Sequence, residues 1–127
     1  MLPDSSVAVM TVDDHAAFRS AARDVIEATP GFQPVGEAAS GEEALALVDE
    51  LEPQLVLLDV RLPGADGLET ARRLHAAHPE VVVVLISVDE LPGLPSSAAE
   101  SGADEFVRKQ DFGPTTLRGV WREHGSA

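Results

Sequence analysis

Three short runs of apolar residues limit what this chain can fold into: Val7–Val12, Leu55–Leu58 and Val81–Ile86. Each closes on a polar side chain: Asp13-Asp14, Asp59 and Ser87 in turn. Runs this short, with little alternation of polar residues, read as strands buried on both faces. The stretches between them carry apolar residues three and four apart, the period of an amphipathic helix. A strand that is apolar on both faces needs a cover on each side, and such helices supply it.

The punctuation agrees. A first helical stripe runs through Phe18, Ala21, Ala22, Val25 and Ile26, and Pro30-Gly31 stops it. Gln33 to Ala38 reads as a weaker strand. Ser40 and Glu43 form a Ser-x-x-Glu capping box that opens a second helix, with Ala44, Leu45, Val48 and Leu51 facing inward. Leu62 to Gly67 is a loop, and a third helix is expected from about Leu68 to His78. Pro92, Gly93 and Pro95 predict an irregular or shortened fourth helix, with helical character only from about Pro95 to Ser101. Glu105 to Val107 is a last short strand, and Pro114 starts a helix whose stripe is Leu117, Val120 and Trp121. Five strand–helix units with right-handed crossovers predict an α/β chain of flavodoxin-like type. It is a three-layer (βα)5 sandwich with parallel sheet order 2-1-3-4-5, in one domain over residues 1–127.

Composition narrows the chemistry. Without cysteine, disulfide frameworks, thiolate metal sites and cysteine nucleophiles are excluded. With 22 acids against 9 bases the net charge is −13, and no cluster of bases offsets it, which argues against binding nucleic acid or an anionic membrane surface. No apolar run approaches the length of a membrane span, and the first residues lack the basic and apolar regions of a signal peptide, so a cytoplasmic protein is expected.

In such a sheet the ligand crevice lies at the carboxyl ends of the strands, where strand order reverses. Asp13, Asp14 and Asp59 end the first and third strands, Ser87 ends the fourth, and Lys109 follows the fifth. Polar residues at strand ends are ordinary one at a time; five of them along one edge beside the switch point are less so. Three neighbouring carboxylates repel one another unless a cation relieves them. Hard oxygen donors select Mg2+ or Mn2+. A carboxylate beside such a cation can attack phosphorus. Lys109 is the only lysine among nine basic residues, and a compact ammonium suits one phosphoryl oxygen.

These residues resemble the receiver domain of bacterial two-component response regulators, from about residue 7 to 124. The carriers are Asp13-Asp14, Leu-Val-Leu-Leu-Asp59, Leu62-Pro63-Gly64 with Gly67, Ser87, and Gly102 through Lys109. The Asp13-Asp14-His15 opening with Phe18-Arg19 is similar to the NarL/LuxR-type subfamily. The resemblance implies that Asp59 is the phosphoacceptor. It also implies that Asp14 and Asp59 bind Mg2+ directly, Asp13 through water and Arg61 through its backbone carbonyl. Ser87 would bond a phosphoryl oxygen, Lys109 would pair with the phosphoryl group, and Phe106 would switch rotamer on activation. The implied partners are a sensor histidine kinase or phosphotransfer protein and a downstream protein, with homodimerisation through the face of the fourth helix, fifth strand and fifth helix as a further expectation. The function expected is a phosphorylation-activated switch, not an enzyme with turnover. The chain departs from the pattern at Val88, where a small residue is usual, and this puts fast transfer from small donors in question. Regulators of that subfamily carry a DNA-binding domain after the receiver, and these 127 residues hold none; a stand-alone receiver is expected, with a fragment of a NarL/LuxR-type transcription regulator as the alternative.

Other readings of the residues carry less. His15, His75, His78 and His124 read as helix-start or helix-surface residues. A phosphohydrolase of the haloacid-dehalogenase type would need an acid two residues past its nucleophile, where this chain has Arg61. A pseudo-receiver that is never phosphorylated would have lost site residues, and all five are present. Arg61 and Asp89, two residues past Asp59 and Ser87, are expected to pair across the mouth of the site and slow loss of a phosphoryl group.

Overall fold

The computed structural model describes residues 6–62, 67–88 and 101–125. The elements are β1 (Val7–Val12), α1 (Ala16–Ala28), β2 (Phe32–Ala38), α2 (Gly41–Leu51), β3 (Leu55–Asp59), α3 (Gly67–Ala77), β4 (Val82–Ser87), β5 (Glu105–Arg108), a 3-10 turn (Lys109–Asp111) and α4 (Pro114–His124). All strand pairs are parallel and the order is β2-β1-β3-β4-β5, as predicted. The segment carrying Asp89, Pro92 and Pro95, where the shortened fourth helix was expected, lies outside the described residues, as do Pro63 to Asp66 of the loop before α3.

The period of two along the strands separates two cores. On one face Met10, Val12, Val56, Leu58, Val83 and Leu85 pack with Ala44 and Val48 of α2 and Ala71 and Leu74 of α3. On the other, Val9, Leu55, Leu57, Val82, Val84 and Ile86 pack with Ala22 and Ile26 of α1 and Leu117 and Val120 of α4. Trp121 is only half-buried at the rim of this second core, less enclosed than its place on the stripe suggests. Each fully buried Leu or Ile contributes about 1.5–3 kcal/mol, so central strands apolar on both faces hold the sheet together.

The edge strand β2 is half-buried over most of its length. Pro34, which has no N–H to donate, lies where the register with β1 slips between Val9 and Met10, a place at which an edge strand tolerates proline. The strand begins at Phe32, one residue before the expected start, and α3 occupies 67–77, one residue earlier than expected at both ends. The Ser40 hydroxyl accepts the Glu43 N–H at 3.2 Å, and the Glu43 carboxylate accepts the Ala39 N–H at 2.7 Å, one residue outside the usual box. His78 and His124 are more than surface residues: they are half-buried and meet Asp49 and Glu105, each at 2.8 Å.

Candidate functional site

The carboxyl ends of β1, β3, β4 and β5 converge at one edge of the sheet. Asp13, which follows β1, is fully buried, and Asp59, the last residue of β3, is 4% exposed. Asp14 is half out in solvent, with its side chain 39% exposed. Ser87 ends β4 buried, in register with Arg108 of β5. Lys109 opens the 3-10 turn, and its ammonium reaches back to Asp13 Oδ2 at 2.5 Å and Asp59 Oδ2 at 3.5 Å.

Several backbone contacts fix this arrangement. The Arg61 N–H donates to Asp59 Oδ1 at 3.0 Å, and the Val60 N–H donates to the Ile86 carbonyl, also at 3.0 Å. The Gly67 N–H donates to the Val60 carbonyl at 2.9 Å. This brings the start of α3 so close to β3 that a Cβ on Gly67 would overlap the backbone of Asp59 and Val60. Only glycine permits that approach, which gives Gly67 a role beyond turn formation. The Arg19 guanidinium donates to the Asp13 carbonyl at 2.6 Å and lies 3.3 Å from Glu37, tying α1 to β1 and β2.

Burial pushes the Asp59 carboxyl above the ordinary carboxylate range. The hydrogen bond from Arg61 and the Lys109 ammonium pull the other way, while the Asp13 charge adds to the rise. Asp13 Oδ2 touches the Lys109 ammonium as a charge contact but has no directed hydrogen bond. A fully buried carboxylate oxygen in that state retains capacity for another electropositive partner. Oxygens of Asp13, Asp14 and Asp59 and a ring nitrogen of His15 all lie within 4.8 Å of one another. This donor set, rich in carboxylate, fits a hard divalent cation.

Asp13, Asp14, Asp59 and Lys109 are thus brought together, with Ser87 at the carboxyl end of the strand beside β3. Arg61 contributes its backbone beside Asp59 while its residue is exposed. Phe106 stands apart, half-buried in β5 opposite Leu85 and against the core beneath α2 and α3. Val88 is 64% exposed. Asp89, the expected partner of Arg61, lies outside the described residues.

Three neighbours went unassigned in the sequence. His15 caps α1, and its Nδ1 lies 3.1 Å from Asp13 and 3.2 Å from Asp14, so it belongs to the acidic cluster. The Phe18 ring lies under the Lys109 ammonium, 4.7 Å from its centroid, and packs at 6.3 Å against Phe112. His15 adjoins the two acids in the chain, but nothing in the spacing signals the contacts of Phe18, since α1 and the turn after β5 meet only in the folded state.

A doubly wound parallel sheet with an acidic notch and a lysine at its switch point defines the class: an α/β domain with the architecture of CheY-like proteins. Residues 9–120 match the response regulator receiver domain, and the chain belongs to that family. It is 39% identical over 103 residues to the response regulator GacA of Pseudomonas protegens, covering 81% of this chain and 48% of that protein. It is 34% identical over 109 residues to the nitrate/nitrite response regulator protein NarL of Escherichia coli, covering 86% and 50%. The chain therefore spans about half the length of these curated relatives. Among solved structures, a LuxR-family two-component response regulator from Aurantimonas sp. SI85-9A1 superposes with a TM-score of 0.84 at 31% identity, covering 94% of this chain and 84% of that one. The response regulator domain of Thermotoga maritima CheB gives 0.83 at 25% identity, covering 94% and 96%.

Proposed function

We propose that this domain is a signalling switch that accepts a phosphoryl group on Asp59 from a phosphohistidine of a sensor kinase or phosphotransfer protein in the cytoplasm. One observation carries the reading: Asp59 is a buried carboxylate held between an oxygen-rich acidic cluster and the ammonium of the chain's only lysine. Asp13, Asp14 and Asp59, with the Arg61 carbonyl, would hold Mg2+ or Mn2+. The chemistry such an ion supplies when bound is neutralisation of phosphoryl oxygens.

The steps fall to the chain's own groups. An Asp59 oxygen attacks phosphorus, the P–N bond of the donor breaks, and the imidazole leaves with a proton from solvent. Lys109 turns from Asp13 toward an oxygen of the transferred group, and the Ser87 hydroxyl donates to another. Burial suits Asp59 to this role, because an incompletely compensated carboxylate in a poorly solvated notch gains when its charge passes to a phosphoryl group that several donors surround. Movement of Ser87, followed by repacking of Phe106, would pass the change to β5 and to the protein that docks there. Slow attack of water on phosphorus would return Asp59 and free phosphate.

The test is intact mass after incubation with Mg2+ and either a phosphohistidine protein or a small acyl phosphate. Wild type is expected to gain one phosphate and Asp59→Ala none. Equal labelling of both, or of neither with every donor, would overturn the assignment.

A further inference from the structure

We infer that Phe18 is a positioning residue for Lys109: its ring face holds the lysine ammonium between Asp13 and Asp59, aimed at the place where the phosphoryl group would sit. This rests on the phosphoacceptor reading of Asp59 and adds a part from α1.

The geometry is specific. The ammonium lies 4.7 Å from the Phe18 ring centroid, within the range in which the negative face of an aromatic ring attracts a cation. Phe112 braces that ring at 6.3 Å with the planes tilted by 54°, and the Phe112 N–H donates to the Lys109 carbonyl at 3.2 Å. The brace therefore belongs to the same turn that carries the lysine. On the other side, Arg19 pins the start of α1 to the Asp13 carbonyl, which fixes where the ring can stand.

A lysine needs such a guide here. Its four-carbon stem is flexible, and its ammonium faces two anions at unequal distances, 2.5 Å to Asp13 and 3.5 Å to Asp59. Here the ammonium rests on the nearer carboxylate, and charge alone would leave it there. The ring is an uncharged partner whose attraction persists when a cation takes up the charge of Asp13 and when Asp59 becomes esterified. It also covers the ammonium, whose side chain is only 12% exposed, so that the stem does not swing out into water. An aliphatic side chain of similar size would fill the space without this attraction.

The chain has a single lysine, so lysine labelled with 13C gives one side-chain signal. In wild type the ε-CH2 resonance is expected upfield of free lysine through the ring current of Phe18, and Phe18→Leu is expected to lose that shift. Phosphoryl incorporation at saturating Mg2+ should fall about 3- to 30-fold in Phe18→Leu. Phe18→Tyr should restore both readouts, and Phe18→Leu should cost nothing further in a Lys109→Ala background. Melting curves establish that each variant is folded, with Phe18→Met replacing a Leu variant that is not. An unshifted lysine signal in wild type, a Leu variant as fast as wild type, or a Tyr variant as slow as Leu would overturn the inference. Failure of wild type to take phosphate at all would instead strike the phosphoacceptor reading, and the kinetic role of Phe18 with it, while the resonance would still judge the contact by itself.

Discussion

Lys109 stands between two carboxylates that the fold has largely taken out of water. Removing it leaves both charges buried without compensation, so Lys109→Ala should cost about 3 kcal/mol in urea unfolding, with part of the loss recovered on adding Mg2+. Asp59 gives the opposite expectation. Burial raises its folded-state pKa above the unfolded value, so the folded chain holds that proton more tightly. The group's contribution is most favourable below the unfolded pKa and falls as pH climbs through the raised folded value. In chelator-treated protein at neutral pH, Asp59→Asn should therefore be more stable than wild type, and the gap should close on acidification. Urea midpoints of the two proteins across pH 4–8 check this, and a constant gap would contradict it. The positions of Asp13, Asp14, Asp59, Ser87 and Lys109 along one edge were legible in the sequence because each lies at or just past a strand end. Phe18 was not: a stripe phenylalanine has many possible neighbours, and only tertiary packing selects the lysine, whereas His15 meets two acids that directly precede it in the chain.

The elements are positioned by a few local devices. Gly67 lets α3 start against the last residue of β3, and Gly67→Ala would force those backbones apart. A loss of about 1–3 kcal/mol is expected, with Asp59 displaced and phosphorylation slowed, whereas an ordinary glycine-to-alanine change at a helix start costs less. Glu52, which ends α2, takes a left-handed conformation at φ 50°. Glu52→Gly should stabilise the protein by roughly 0.5–1 kcal/mol in the same assay by relieving that strain. The helix and strand periods were readable because β1, β3 and β4 are buried on both faces and the helices on one. Ends were readable only to within a residue. Start positions such as Phe32 and Gly67 depend on hydrogen bonds to other elements that no local pattern encodes.

The whole molecule carries a net charge of −13. Self-repulsion of that size weakens as salt shortens the Debye length, so the melting temperature should rise by several degrees between low salt and about 0.5 M NaCl. A melting temperature indifferent to salt would contradict this and show that relief of repulsion is offset by weakening of pairs such as Arg72–Glu69 and Arg73–Glu69. Strand order and layering were legible at this scale because a parallel sheet admits few connections. Trp121, the only tryptophan, lies with Pro53, Gln54 and Val81 at the amino ends of β3 and β4, the far pole from the acidic notch. Its fluorescence is thus a built-in gauge that follows collapse of the fold and has no direct contact with the opposite pole, so any emission change on adding a phosphoryl mimic reports a signal carried through the sheet.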